Sequence, residues 1–296
     1  MIVDVHVHTS NHPMVGLHTA DASIEAIERE ADRFGIAKAL VIATYFPYKG
    51  SGVPNQEMLR RIEHRDRFAM IGSLDAMNQF GAGVAELEAL AREGMLVGIK
   101  LFAGYQMFHV SHPTMFPLYE LAERFQLPVT IHGGELHHCC SRERRNRRDL
   151  KCGNSFCWID RSGALAEPAV FYHAIHSFPR VNFVIAHLAN PFFDQLRHLM
   201  IDCPNVYTDT SGQFLSGTDE ASSEYKQMIV EELHKFLAVP NGMDRMMFGS
   251  DFPIQSFADT IELVNMLGLS EDAKEKILWQ NANRVYRLGL ETRGVK

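Results

Sequence analysis

Short apolar runs alternate with stretches of helical periodicity almost to the end of the chain. The first run, Met1 to His8, has the period of a strand. Val3, Val5 and Val7 fall on one side; Asp4, His6 and His8 fall on the other. A loop rich in His, Pro and Gly follows at 9–20. Asp21 then caps a predicted helix in which Ile24, Ile27, Ala31 and Phe34 share a face, and Gly35 stops it. The pattern continues with a buried strand at 38–43, a helix at 55–64, a strand at 68–74, a helix at 84–92 closed by Gly94, and a strand at 96–102.

The second half repeats the rhythm. Helices are predicted at 115–125, 168–177, 191–201, 223–238, 258–267 and 271–286, and strands at 128–132, 181–187, 205–209 and 245–251. Pro168 sits at a tolerated first position of its helix. Eight strands, each followed by a helix, predict an α/β fold: a (β/α)8 TIM barrel with a long, lid-like insertion after strand five at about 136–161. The inner strands are near-continuously apolar, as parallel strands covered on both faces should be. An open doubly wound sheet is the runner-up, but no glycine-rich phosphate loop follows the first strand. No linker, repeat or low-complexity tract divides the chain, so one domain over 1–296 is expected.

Composition narrows the partners. The chain has 296 residues, 46% hydrophobic and 22% charged, with a net charge of −7. That acidity gives no general case for a nucleic-acid partner or a membrane surface. No apolar run approaches the 18 or so residues needed to span a bilayer, and no secretory signal is visible at the start. Five cysteines, an odd number in a chain that needs no disulfides, predict a reducing, cytoplasmic setting.

Barrel enzymes carry their chemistry at the C-terminal ends of the strands. Polar residues closing the predicted strands are His6 and His8, Lys100, His132, His187, Asp209 and Asp251. Any one of them alone is ordinarily a strand cap that hydrogen-bonds a loop. Four histidines and an aspartate converging on one rim is a site. His6 and His8, two residues apart and about 6.5–7 Å along a strand, can share one metal ion. Strict alternation puts His132 with Thr130, His187 with Ile185, and Asp251 with Gly249. Gly249 would then leave space below the ligands.

The HVH of the first strand, Gly98-Ile99-Lys100-Leu101, IHGG at 131–134, AH at 186–187, YTDTSG at 207–212, FGSDFP at 248–253 and NANRVYRL at 281–288 together resemble the amidohydrolase superfamily. The branch most similar is the metal-dependent hydrolase and decarboxylase group that includes aminocarboxymuconate semialdehyde decarboxylase. The resemblance implies that His6, His8 and His132 bind one divalent metal, zinc first and manganese as the alternative. It implies that Asp251 is a further ligand able to shuttle a proton, and that His187 activates the bound water or polarises the substrate. Imidazole and carboxylate suit such an ion. One departure is the run AHLANP, where the family often has AHxG.

Lys100 has two readings. In binuclear members a carbamylated lysine on strand four bridges two metals. The branch resembled here pairs its lysine with one metal, which favours Lys100 as a group oriented toward a carboxylate or substrate. The insertion holds His137, His138, Cys139, Cys140, Cys152 and Cys157, but lacks the paired C-x2-C knuckles of a structural zinc site. Its stretch 141–151 carries six cations against two anions. A solvated loop or subunit contact is the plain reading. The sharper one is a lid whose Arg144 and Arg145 hold an anionic substrate. Glu135, Tyr45, Tyr105, His109 and Asp209 are further candidates to line the pocket.

The function expected is therefore a metal-dependent hydrolase of a small, anionic molecule acting through a metal-activated water. The alternatives are a non-oxidative decarboxylase of an aromatic or muconate-like acid, and a catalytically inactive metal-binding barrel. A homodimer is the family-level expectation.

Overall fold

A computed structural model describes residues 1–10, 19, 21–45, 52–136 and 162–291. Arg144, Arg145 and the cysteines of the insertion lie outside the described residues. Eight parallel strands form one sheet in chain order: β1 (Ile2–Val7), β2 (Ile36–Ile42), β3 (Phe68–Ser73), β4 (Gly98–Leu101), β5 (Val129–Ile131), β6 (Phe183–Ile185), β7 (Val206–Asp209) and β8 (Met246–Met247). The sheet curls into a nearly closed (β/α)8 barrel. Helices cover its outer face, among them α1 (Ile24–Phe34), α2 (Asn55–Ile62), α3 (Phe80–Arg92) and α4 (Phe116–Phe125). Among the described residues, no helix is long and apolar enough to cross a membrane.

The elements follow local chemistry. In α1, Ile24, Ala26, Ile27 and Ala31 are buried, and Gly35 ends the helix in the left-handed region at φ 70°. The cap is not Asp21, as the sequence suggested, but Ser23. Its Oγ accepts the Ala26 N–H, while the Asp21 carboxylate receives the Ser23 N–H and hydroxyl. Asp21 thus braces the cap from outside the helix. Two further predicted helices are broken. The stretch after Pro168 is a 3-10 turn at Pro168–Phe171 before a helix at Tyr172–Ser177, and the last helix contains a π-helical segment at Lys276–Gln280.

The strands are shorter than the apolar runs that predicted them. β8 has two residues, and β5 and β6 have three each. As a result His132, His187 and Asp251 lie just beyond the strands, on loops at the barrel's C-terminal rim. Strict alternation fails there for a physical reason. His187 and Asp251 both have φ 63°, in the left-handed region, where the side-chain direction no longer follows the pleat. Gly249 does leave space as expected. A Cβ there would stand 3.1 Å from His6 Cβ and 3.3 Å from Cβ of both Asp209 and Ser211.

Regular pairing runs from β1 to β8 and stops there. The β8–β1 seam is instead closed by single hydrogen bonds: Val5 N–H to Phe248 C=O (3.0 Å), Asp251 N–H to His6 C=O (2.8 Å) and His8 N–H to Phe252 C=O (2.8 Å). Around the barrel, Phe183 is fully buried, with its ring edge-on to Tyr119 at 5.5 Å between centroids. Phe183→Ala is expected to destabilise the protein by about 3–5 kcal/mol, read from urea unfolding at constant m-value.

Candidate metal centre

Two strand ends on opposite sides of the seam build the site. β1 delivers His6, fully buried, and His8, one residue past the strand, with 19% of its side chain exposed. The loop after β8 delivers Asp251, 3% exposed. Asp251 Oδ1 lies 3.2 Å from His8 Nε2 and 3.7 Å from His6 Nε2. One ligand atom from each of these three residues falls within 4.8 Å of the others.

His6 is oriented from behind. Its Nδ1 sits 3.1 Å from Asp209 Oδ2. An ionised carboxylate only accepts, so Nδ1 carries the proton and Nε2 presents its lone pair toward Asp251 and His8. Burial, with Lys100 nearby, lowers the His6 pKa, which keeps the ring neutral. Asp209 itself is fully buried, and burial alone would raise its pKa. His6 and His187 together with its hydrogen bonds hold it below the usual carboxylate range instead. Its Oδ1 accepts from the His187 N–H (3.0 Å), the Ser211 N–H (3.2 Å) and the Ser211 hydroxyl. Asp251 behaves alike: burial opposes ionisation, but the His8 hydrogen bond and the neighbouring histidines keep it ionised.

The donor set fits a divalent cation. Two imidazoles and an ionised carboxylate converge within coordinating range, and the second nitrogen of His6 is already committed to Asp209. A second group, His6, His187 and Asp209, also has ligand atoms within 4.8 Å. Its members are joined by hydrogen bonds, with Ser211 Oγ 3.2 Å from His6 Nδ1 and 2.8 Å from His187 Nδ1. That group is the frame behind the ligands.

Lys100 and His132 stand beside the centre. Lys100 is 1% exposed, with Nζ 3.3 Å from His6 Nε2 and 5.4 Å from the Phe102 ring centroid. Burial lowers its pKa to about 8, against the pull of Asp209 and Asp251. His132 is not in either ligand group. Its Nδ1 lies 3.1 Å from His187 Nε2 and its Nε2 3.2 Å from Glu135 C=O, and Tyr105 meets its ring at 4.7 Å. Burial and His187 push its pKa well down, and burial takes His187 to about 3. Both rings are neutral near pH 7.

His187 owes its place to backbone. His187, Leu188 and Ala189 have φ of 63°, 52° and 51°, an unusual left-handed run for non-glycine residues. The Gly133-Gly134 pair packs against it. A Cβ on Gly134 would stand 2.3 Å from Asn190 C=O. So the departure at AHLANP is answered by the glycines of IHGG.

Of the other residues singled out from sequence, Tyr105 reaches the site through His132. Tyr45 instead bonds Glu86 (3.1 Å), and His109 accepts from Ser111 N–H (3.2 Å). Sequence reading missed what Asp209 does, and missed Ser211 altogether. The signal available was their spacing of two in YTDTSG, which puts both polar groups on one strand face.

The family model described as Amidohydrolase (Amidohydro_2) matches residues 3–288, and the chain belongs to that family. No curated protein gives a significant match. Similar solved structures share the barrel. A 5-carboxyvanillate decarboxylase from Sphingomonas paucimobilis is 17% identical over 97% of this chain and 98% of its own, with a TM-score of 0.65. A dihydroxybenzoic acid decarboxylase from Polaromonas sp. JS666, with bound manganese and the inhibitor 2-nitroresorcinol, is 14% identical over 98% of each chain, TM-score 0.70. A protein assigned as a 2-pyrone-4,6-dicarboxylic acid hydrolase, from Pseudomonas putida, is 18% identical over 98% of each chain, TM-score 0.68. The family and the His/Asp group together support a divalent metal.

Removing the carboxylate behind His6 is expected to loosen the ion without touching its ligands. Asp209→Ala should weaken metal affinity about 10–100-fold, measured by chelator competition, with the ligand residues intact.

Proposed function

We propose that this protein is a metal-dependent hydrolase of a small, anionic molecule. The observation that carries the reading is the convergence of His6, His8 and Asp251 beside buried Lys100 and His187, in a chain of the amidohydrolase family. These three residues would hold one divalent ion, and the family resemblance adds His132 as a further ligand. We take zinc as the native ion because imidazole and carboxylate suit it; the manganese of the Polaromonas structure makes manganese the alternative. When bound, such an ion supplies a Lewis acid that lowers the pKa of a water and polarises a substrate oxygen.

The chain's own residues do the rest. His187 is neutral and hydrogen-bonded on both ring nitrogens, to Ser211 and to His132, so it is fixed in direction; it would exchange a proton with the substrate only by giving up its contact with His132. Asp251 takes the proton released by water and passes it to the leaving group. Lys100, inside the barrel, orients an anionic group of the substrate, and Phe102 shields it from water. Arg144 and Arg145, read from the sequence as part of a lid, would add guanidinium groups for an anionic substrate. The cytoplasmic setting, a homodimer, a single domain over 1–296 and the absence of a nucleic-acid partner rest on composition and family resemblance.

Decarboxylation of an aromatic acid is the second reading, favoured by two of the similar structures, both carboxylic acid decarboxylases. A screen of lactones, amides and hydroxybenzoic acids in 18O-labelled water separates the two. Label in a carboxylate product establishes hydrolysis; carbon dioxide release without label in the organic product establishes decarboxylation. No turnover by the zinc- or manganese-loaded protein would leave the inactive barrel. With the substrate in hand, replacing Arg144 and Arg145 together by alanine is expected to raise KM about tenfold or more with little change in kcat. An unchanged KM removes the lid from substrate binding.

A further inference from the structure

Asp4 lies below the metal centre, fully buried, and has no part in the chemistry above. Its Oδ1 accepts two backbone N–H groups, from His6 at 2.9 Å and from Ser250 at 3.1 Å. Those two amides belong to opposite sides of the β8–β1 seam. They also lie where regular pairing is interrupted. The β1–β2 register shifts between Asp4 and Val7, and β8 ends at Met247, before Ser250 is reached. On either side of this point the seam uses backbone carbonyls: Val5 N–H to Phe248 and Asp251 N–H to His6. At the break itself a side-chain oxygen accepts from both strands' ends.

The residues so tied are the ones that matter. His6 is itself a member of the ligand group, and Ser250 immediately precedes Asp251, another member. We propose that Asp4 is a positioning residue: its Oδ1 bolts the β1 and β8 ends together at the interrupted ladder and so sets the distance between His6 and Asp251. The proposal rests on the reading of those two residues as metal ligands. It requires an acceptor at Oδ1, the atom that both amides reach; Oδ2 has no hydrogen-bond partner to lose. An asparagine at this position keeps the acceptor; an alanine orphans both amides.

The test compares Asp4→Asn and Asp4→Ala with the wild type in two measurements. One is hydrogen exchange of the metal-free protein, followed on peptides covering 2–8 and 246–253, with the β3 peptide 68–73 as the control. The other is affinity for Zn2+ and for Mn2+ by chelator competition. Asp4→Ala is expected to speed exchange in the two seam peptides about tenfold or more, leave the β3 peptide unchanged, and weaken metal binding about tenfold or more. Asp4→Asn is expected to stay within about threefold of wild type in both. Seam exchange in Asp4→Ala equal to wild type overturns the proposal, as does an Asp4→Asn protein that exchanges as fast as Asp4→Ala or binds metal as weakly. If Asp4→Ala does not fold by circular dichroism, Asp4→Asn decides: wild-type exchange and affinity support the acceptor role, and their loss overturns it. If the wild type binds neither ion, the metal reading fails by itself, and the exchange of metal-free protein still judges the seam.

Discussion

A carboxylate sealed inside a barrel is tolerable only when donors surround it. Asp209 has four: His6 Nδ1, the His187 N–H, and the N–H and hydroxyl of Ser211. Through these bonds one side chain on β7 fixes a ring on β1 and a backbone turn after β6. The charge in turn depends on being held, because burial alone would raise its pKa. The site is therefore a set of mutually dependent groups. Without Asp209, His6 Nδ1 would keep only the Ser211 hydroxyl, which can donate or accept and so would not set which nitrogen faces Asp251.

The same economy explains the neutral histidines. His6, His132 and His187 are all pushed toward the neutral form by burial. Buried imidazoles that stay neutral keep a lone pair available at neutral pH, which is what a metal or a proton donor needs. The positive charge in the barrel is carried by Lys100, flanked by Asp209 and Asp251. Two carboxylates and one ammonium in one buried space leave a net charge of −1, which favours binding of a cation.

Backbone irregularity is concentrated where the side chains converge. His187 and Asp251 take left-handed conformations that few non-glycine residues adopt, and the surrounding structure holds them there. Gly134 clears the path of the turn that carries His187, and Gly249 clears the floor beneath His6. The shortness of β5, β6 and β8 belongs to the same design. Regular pairing ends early in β6 and β8, and beyond it the left-handed backbone aims His187 and Asp251 off the pleat.

Much of the fold was legible in the sequence, because period and length are local properties. Apolar runs alternating with helical spacing produce eight strands and their covering helices without reference to partners. The HVH of β1 was legible too, since i and i+2 on one strand share a face. The hydrogen bonds that hold the β8–β1 seam, the pairing of His6 with Asp209 across 203 residues, and the contact of His132 with His187 were not. Each depends on groups brought together from distant parts of the chain, and on left-handed backbone that alternation cannot anticipate. The cap at Ser23 rather than Asp21 shows the same limit at short range, because both residue types can cap a helix and only the backbone geometry decides which one does. The sequence by itself settled which strand ends carry the histidines, the lysine and the aspartates of the rim. Tertiary structure alone decided which of their atoms face one another, because hydrogen-bond direction is fixed only when both partners are in place.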